Sequence, residues 1–273
     1  MFRVYTLNIV VTAVKITNTD RINCISSIFY TPLSRGYTMD SYAVEVIYTQ
    51  EHWYVLEEKR AKGLKIVTTL NKCGLFVAIV HGSVARGDIT RNSDVDVALL
   101  HPYSTSLVKL CLEENGFKVY DVKIVQPTPK HTPKVYIYLD PSEERVSLPL
   151  AELDPIEIEY YKFSGFVTKE DILAGKRVRG VNKKLKLVIP TEKGHIEIPV
   201  IGNEGYVGRL LGVSIDVVKD RVEALTKRIE EGHSGLFIEV SVPMVEEIEY
   251  FIEKLCRENS AFRRAVIKHG LCI

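Results

Sequence analysis

The feature that most narrows what this chain can fold into is an ordered series in its first half. An apolar run, Leu75–Val80, is followed by Gly82-Ser83, ten residues of loop, and Asp94-Val95-Asp96-Val97-Ala98-Leu99. A short continuous apolar run bounded by turn residues reads as a buried strand. In the second stretch Val95, Val97 and Leu99 alternate with Asp94, Asp96 and Ala98, which reads as a strand with one polar face. Two strands joined by a short loop bring the Gly-Ser pair and both carboxylates to one end of a sheet.

The flanking sequence supplies the rest of an α/β layout. Val44, Val46 and Ile47 suggest a short strand, and Val55–Lys72 a helix, weakened by Gly63 and stopped at Cys73-Gly74. Ser104 or Thr105 caps a second helix ending at Asn115-Gly116. Phe117–Val125 and Val135–Leu139 read as further strands. Asp154-Pro155 opens a helix to about Phe163. Ser164-Gly165 marks a boundary. Beyond it, Leu185–Ile189 and His195–Val200 form a hairpin around Lys193-Gly194. Tyr206–Arg228 is helical with a break near Gly212. Leu236–Val242 is a strand, and Pro243–Arg257 an amphipathic helix. The expected organisation is an α/β domain at 39–163, its mixed sheet flanked by helices, then a smaller α+β domain at 164–273. Residues 1–38 have two readings: an N-terminal extension, or a stretch upstream of a true start at Met39.

Composition excludes some function classes. The 273 residues carry 46% hydrophobic and 26% charged side chains, enough to bury a sizeable core. The formal net charge of +1 gives no bulk attraction to polyanions. No apolar run reaches the ~20 residues that span a bilayer. Leu7–Val14 has no small-residue cleavage site after it, so neither a membrane span nor a signal peptide is expected. The five cysteines form no C-x-x-C pair, which predicts reduced thiols in a cytoplasm rather than a disulfide framework or a zinc site. Plentiful Lys, Arg and Glu beside only two Gln suggest a heat-adapted source.

The chemistry concentrates at the central series. Residues two apart on a strand share a face, about 6.6 Å apart at Cα. Two neighbouring carboxylates repel unless a cation joins them. Mg²⁺ suits that task, since it takes hard oxygen ligands and keeps waters for phosphates, with Mn²⁺ as an alternative. Gly82 lets a phosphate approach the backbone, Ser83 offers a hydroxyl and an N–H, and Arg86 offers positive charge.

Gly82-Ser83-Val84-Ala85-Arg86-Gly87-Asp88 followed by Asp94-Val95-Asp96 resembles the DNA polymerase β-like nucleotidyltransferase superfamily, most closely its minimal nucleotidyltransferase branch. The resemblance covers about residues 55–125. It implies Mg²⁺-dependent transfer of a nucleoside monophosphate, AMP foremost, from a triphosphate to an acceptor hydroxyl. It also implies a third carboxylate completing a site for two metal ions. Asp121, in an apolar-Asp-apolar setting, is the first choice and Asp140 the alternative. The implied acceptor is a protein or an RNA.

Downstream, Gly208-Arg209-Leu210-Leu211-Gly212-Val213-Ser214 with Val218 and Arg221 resembles a helix-turn-helix. Its second helix would display Lys219 and Arg221 to a nucleic acid. Lys183 and Lys184 belong to a basic stretch upstream that would add to the grip. The rival expectation is a non-catalytic nucleotide-binding regulator that uses this second half to bind DNA.

Overall fold

A computed structural model describes residues 43–139, 144–230, 236–243 and 247–267. The readings of residues 1–38 and of Asp140 lie outside them. In chain order the elements are β1 Val44–Ile47, α1 Gln50–Lys72, β2 Ala78–His81, α2 Ser83–Arg86, β3 Val95–Leu99, α3 Thr105–Glu114, β4 Asp121–Gln126, β5 Lys134–Tyr138, β6 Glu144–Pro149 and α4 Pro155–Ser164. They continue with β7 Phe166–Val167, α5 Lys169–Leu173, β8 Gly180–Val181, β9 Lys186–Thr191, β10 Gly194–Pro199, α6 Glu204–Leu211, α7 Ile215–Glu230, β11 Ile238–Ser241, α8 Ile248–Glu258 and α9 Ser260–Ile267.

Local signals explain where these elements begin and end. Thr49 caps α1 by accepting from the His52 amide, so the helix starts before the apolar period that its sequence shows from Val55. β2 starts only at Ala78, because Val77 has φ +65°, a costly value for a β-branched residue, and Phe76 faces outward. A capping box formed by Asp154 and Glu157 opens α4 where Asp154-Pro155 predicts it. Ser104 likewise caps α3.

Seven strands form a mixed sheet in the order β11-β4-β5-β6-β3-β2-β7. β3 and β6 are parallel and their neighbours are antiparallel. One face is apolar: Val80, Val95, Val97, Val146 and Ile137 pack against α1, α3, α8 and α9. Gly63 serves this layer. A Cβ there would meet the Val80 side chain at 2.9 Å, so the residue that weakens α1 lets the helix lie close on the sheet.

The second sheet, β1-β10-β9-β8, packs its apolar side on α6, α7 and Phe163 of α4. Thus 163/164 does not separate the sheets. β1 joins the second sheet by pairing with β10, while β7 and β11 complete the first. The described residues all fall in one unit, Met39–Ile273. Strand pairing between distant segments, which no local period reveals, decides this.

The expectation of reduced thiols is overturned. Cys73, the C-cap of α1, and Cys111 on α3 form a disulfide, and Cys256 is disulfide-bonded as well. Packing of α1 against α3 brings together two cysteines 38 residues apart in sequence.

Candidate active site

The polar face of the seven-stranded sheet carries the expected chemistry. Register places Asp96 opposite His81 on one side and opposite Arg145 on the other. Arg145 in turn pairs with Tyr138, and Tyr138 with Asp121. Directly paired residues share a face, so Asp121, Tyr138, Arg145, Asp96 and His81 form one row across five strands. Asp94, just before β3, projects to the same side two residues earlier.

Arg145 dominates the electrostatics. Its Nη2 donates to Asp94 Oδ2 at 3.0 Å, and its Nε donates to Asp96 Oδ1. Burial works against the charge on this guanidinium, but Asp96 and Asp94 outweigh it and hold its pKa above the ordinary arginine value. The three side chains are 21–28% exposed, so solvent reaches the cluster. Beside it, burial keeps the His81 pKa below its usual value despite the pull of Asp96. The His81 ring stands edge-on to Tyr161, 5.2 Å between centroids. That is a packing role, as its place at a strand end suggests.

Gly82 follows β2 with φ +77° and ψ −143°, a conformation only glycine adopts readily. It starts α2 at Ser83 and sends the chain back toward β3. Its amide donates to the Gly165 carbonyl at 2.9 Å, tying the loop to the end of α4. Gly82 and Ser83 are half-buried.

Two expected site residues take other roles. Arg86 is buried, and its guanidinium grips both carboxylate oxygens of Asp88, at 2.9 and 3.1 Å, while also donating to the Ser164 carbonyl. Three of its N–H groups are thus engaged inside the fold, tying this side chain to its own loop and to the end of α4. Asp121 does not join the aspartate pair. β5 and β6 lie between β4 and β3, which at about 4.8 Å per strand puts Asp121 roughly 14 Å from Asp96. Its carboxylate accepts from the Val122 amide instead.

Sequence reading missed Arg145, because it missed β6. The alternation of Arg145, Ser147 and Pro149 with Val146 and Leu148 was a usable signal in the sequence.

The donor set suits one divalent ion. Two carboxylates on one face offer the hard oxygens that Mg²⁺ takes, and such an ion completes its shell with water and phosphate oxygens. No third acidic side chain joins them, and no group of three metal-ligating side chains gathers, among the described residues. The second ion of the two-ion expectation would draw on a third carboxylate, whose alternative Asp140 lies outside the described residues.

In the second half, α6 and α7 meet at Gly212, and Ser214 caps α7 through the Val217 amide. One face of α7 is covered by α4. Glu159 accepts from the Ser214 amide, Tyr160 donates to Asp220, and the Arg221 guanidinium lies 5.7 Å from the Tyr160 ring centre. Burial lowers the Arg221 pKa. Arg221 is thus a packing residue. Lys219, Lys183 and Lys184 are exposed. His195 is engaged too: its Nδ1 meets the Tyr48 hydroxyl at 2.7 Å, and its Nε2 faces Glu197.

The family model of the nucleotidyltransferase domain matches residues 60–148, from within α1 to within β6. This segment carries a nucleotidyltransferase domain, consistent with a member of the polymerase β-like superfamily. The match takes in Gly82-Ser83, Asp94, Asp96 and Arg145. No curated protein matches the chain. No helix among the described residues is long and apolar enough to cross a membrane.

Proposed function

We propose that this chain transfers a nucleoside monophosphate, AMP foremost, from a triphosphate to a hydroxyl of a protein or RNA acceptor. The observation that carries this reading is the meeting of Asp94 and Asp96 with the Gly82-Ser83 turn at one end of a nucleotidyltransferase sheet. Asp94 and Asp96 would hold Mg²⁺, with Mn²⁺ as a substitute, and the ion would neutralise charge on the α-phosphate and the leaving group. Gly82 and Ser83 seat the outer phosphates through backbone and hydroxyl. The acceptor oxygen bonds to the α-phosphorus, the bond to the bridging oxygen of pyrophosphate breaks, and the hydroxyl proton passes to solvent. The cytoplasm, where triphosphates are plentiful, is the proposed compartment. Disulfides fit it if the source is heat-adapted, since such organisms keep them inside the cell.

The second reading is a nucleotide-binding regulator that contacts nucleic acid through its second half. The solvated lysines Lys183, Lys184 and Lys219 favour it. Labelled triphosphates incubated with the protein and with RNA separate the two. Transfer of label that stops with a chelator, and falls roughly a thousandfold in Asp94→Asn or Asp96→Asn, supports the enzyme. Nucleotide-dependent DNA binding that survives both substitutions, without transfer, supports the regulator.

A further inference from the structure

Arg145 occupies the register position beside Asp96 on the parallel neighbour of β3. Its guanidinium spans both aspartates, so it sits on the oxygens that a divalent ion would need. An ion arriving alone must displace a cation from this pair or bind beside it. A metal–triphosphate brings its own compensation: phosphate oxygens accept bidentate hydrogen bonds from a guanidinium as well as carboxylates do. The cluster is open enough for this exchange, with about a quarter of each side chain exposed. No other carboxylate is bonded to Arg145 among the described contacts, so an incoming phosphate is the natural second partner.

The geometry points to Arg145 as a latch on the metal site. In the nucleotide-free protein it holds Asp94 and Asp96, and it releases them to the metal when a triphosphate arrives to take the guanidinium. Metal and nucleotide then bind with positive coupling, and each tightens the other by the same factor. This rests on the transferase reading above. Arg145 is here a positioning residue, acting through the aspartates.

The test is Mn²⁺ binding to the full chain, followed by calorimetry and water-proton relaxation without nucleotide. Arg145→Gln should bind Mn²⁺ at least tenfold tighter than wild type, and that gain should vanish when Asp94→Asn and Asp96→Asn are added. Arg145→Lys, which keeps the charge, should stay near wild type. A non-hydrolysable ATP analogue should bind wild type at least tenfold tighter with Mn²⁺ than without, and Arg145→Gln should show a smaller gain. Mn²⁺ affinity in folded Arg145→Gln equal to or weaker than wild type overturns the latch. If that variant does not fold, wild-type analogue binding that is indifferent to Mn²⁺ overturns it equally. Analogue binding with unchanged Mn²⁺ affinity in Arg145→Gln sinks the latch and leaves the transferase reading standing. No triphosphate binding by the wild type sinks both.

Discussion

Two arginines in this protein grip carboxylates, and they do so in opposite settings. Arg86 and Asp88 are almost fully enclosed, at 5% and 8% side-chain exposure, and the Ser164 carbonyl and Asn182 amide complete their hydrogen bonds. Arg145 holds Asp94 and Asp96 at an open sheet end. Identical chemistry thus serves two ends. Where water is excluded, the pair fastens α2 and its loop to the end of α4. Where water enters, the same contact is weak enough to be exchanged for a ligand.

The largest expected effect breaks the first pair. Arg86→Ala leaves Asp88 charged and buried without its partner, and should cost about 3–5 kcal/mol in urea unfolding. A loss below 1 kcal/mol would erase the contrast between the two arginines. Reduction of the Cys73–Cys111 disulfide comes next. Closing a loop of 38 residues stabilises by about 2–4 kcal/mol, so a reductant should lower the melting temperature visibly. Cys111→Ala should show that loss without reductant. Third, Asp94→Asn with Asp96→Asn should move unfolding stability by no more than about 1 kcal/mol, although transfer collapses. A much larger loss would make the open pair structural like the buried one.

The smallest effect concerns Glu249, whose carboxylate accepts from the Thr105 hydroxyl and from the Ser106 amide and hydroxyl at the start of α3. Burial works against its charge, but these hydrogen bonds hold its pKa below the usual 4.5. The folded pKa is depressed, so the stabilisation is complete above about pH 4.5 and is lost as pH falls through the lower folded value. After solvent screening it amounts to less than about 1 kcal/mol. Comparing Glu249→Gln with wild type by urea unfolding between pH 6 and pH 3 checks it, and an unchanged pH slope in the variant counts against the assignment.

How far the sequence could be read depended on whether the signal was local. Helix α3 was legible because Ser104 caps it and Asn115-Gly116 ends it, all within neighbouring residues. The β9–β10 hairpin was legible because its turn lies between its own strands. Strand β6 was not recognised. Arg145 gains its meaning from pairing with β3, which lies some fifty residues earlier in the chain. Arg86 shows the same limit. Next to Gly-Ser it reads as a phosphate ligand, and only the folded chain shows that it also grips Asp88 and the Ser164 carbonyl at the end of α4.

By itself, the sequence determined that Gly82-Ser83 and the Asp94/Asp96 pair lie at one end of adjacent strands. Alternation along a strand and a glycine at its end are properties of a few consecutive residues. The tertiary structure decided which side chains stand around that pair. It set Asp121 three strands away, put Arg145 beside the pair, and joined Cys73 to Cys111. Strand order and helix packing are fixed by the burial of a shared core, to which residues from one end of the fold to the other contribute at once.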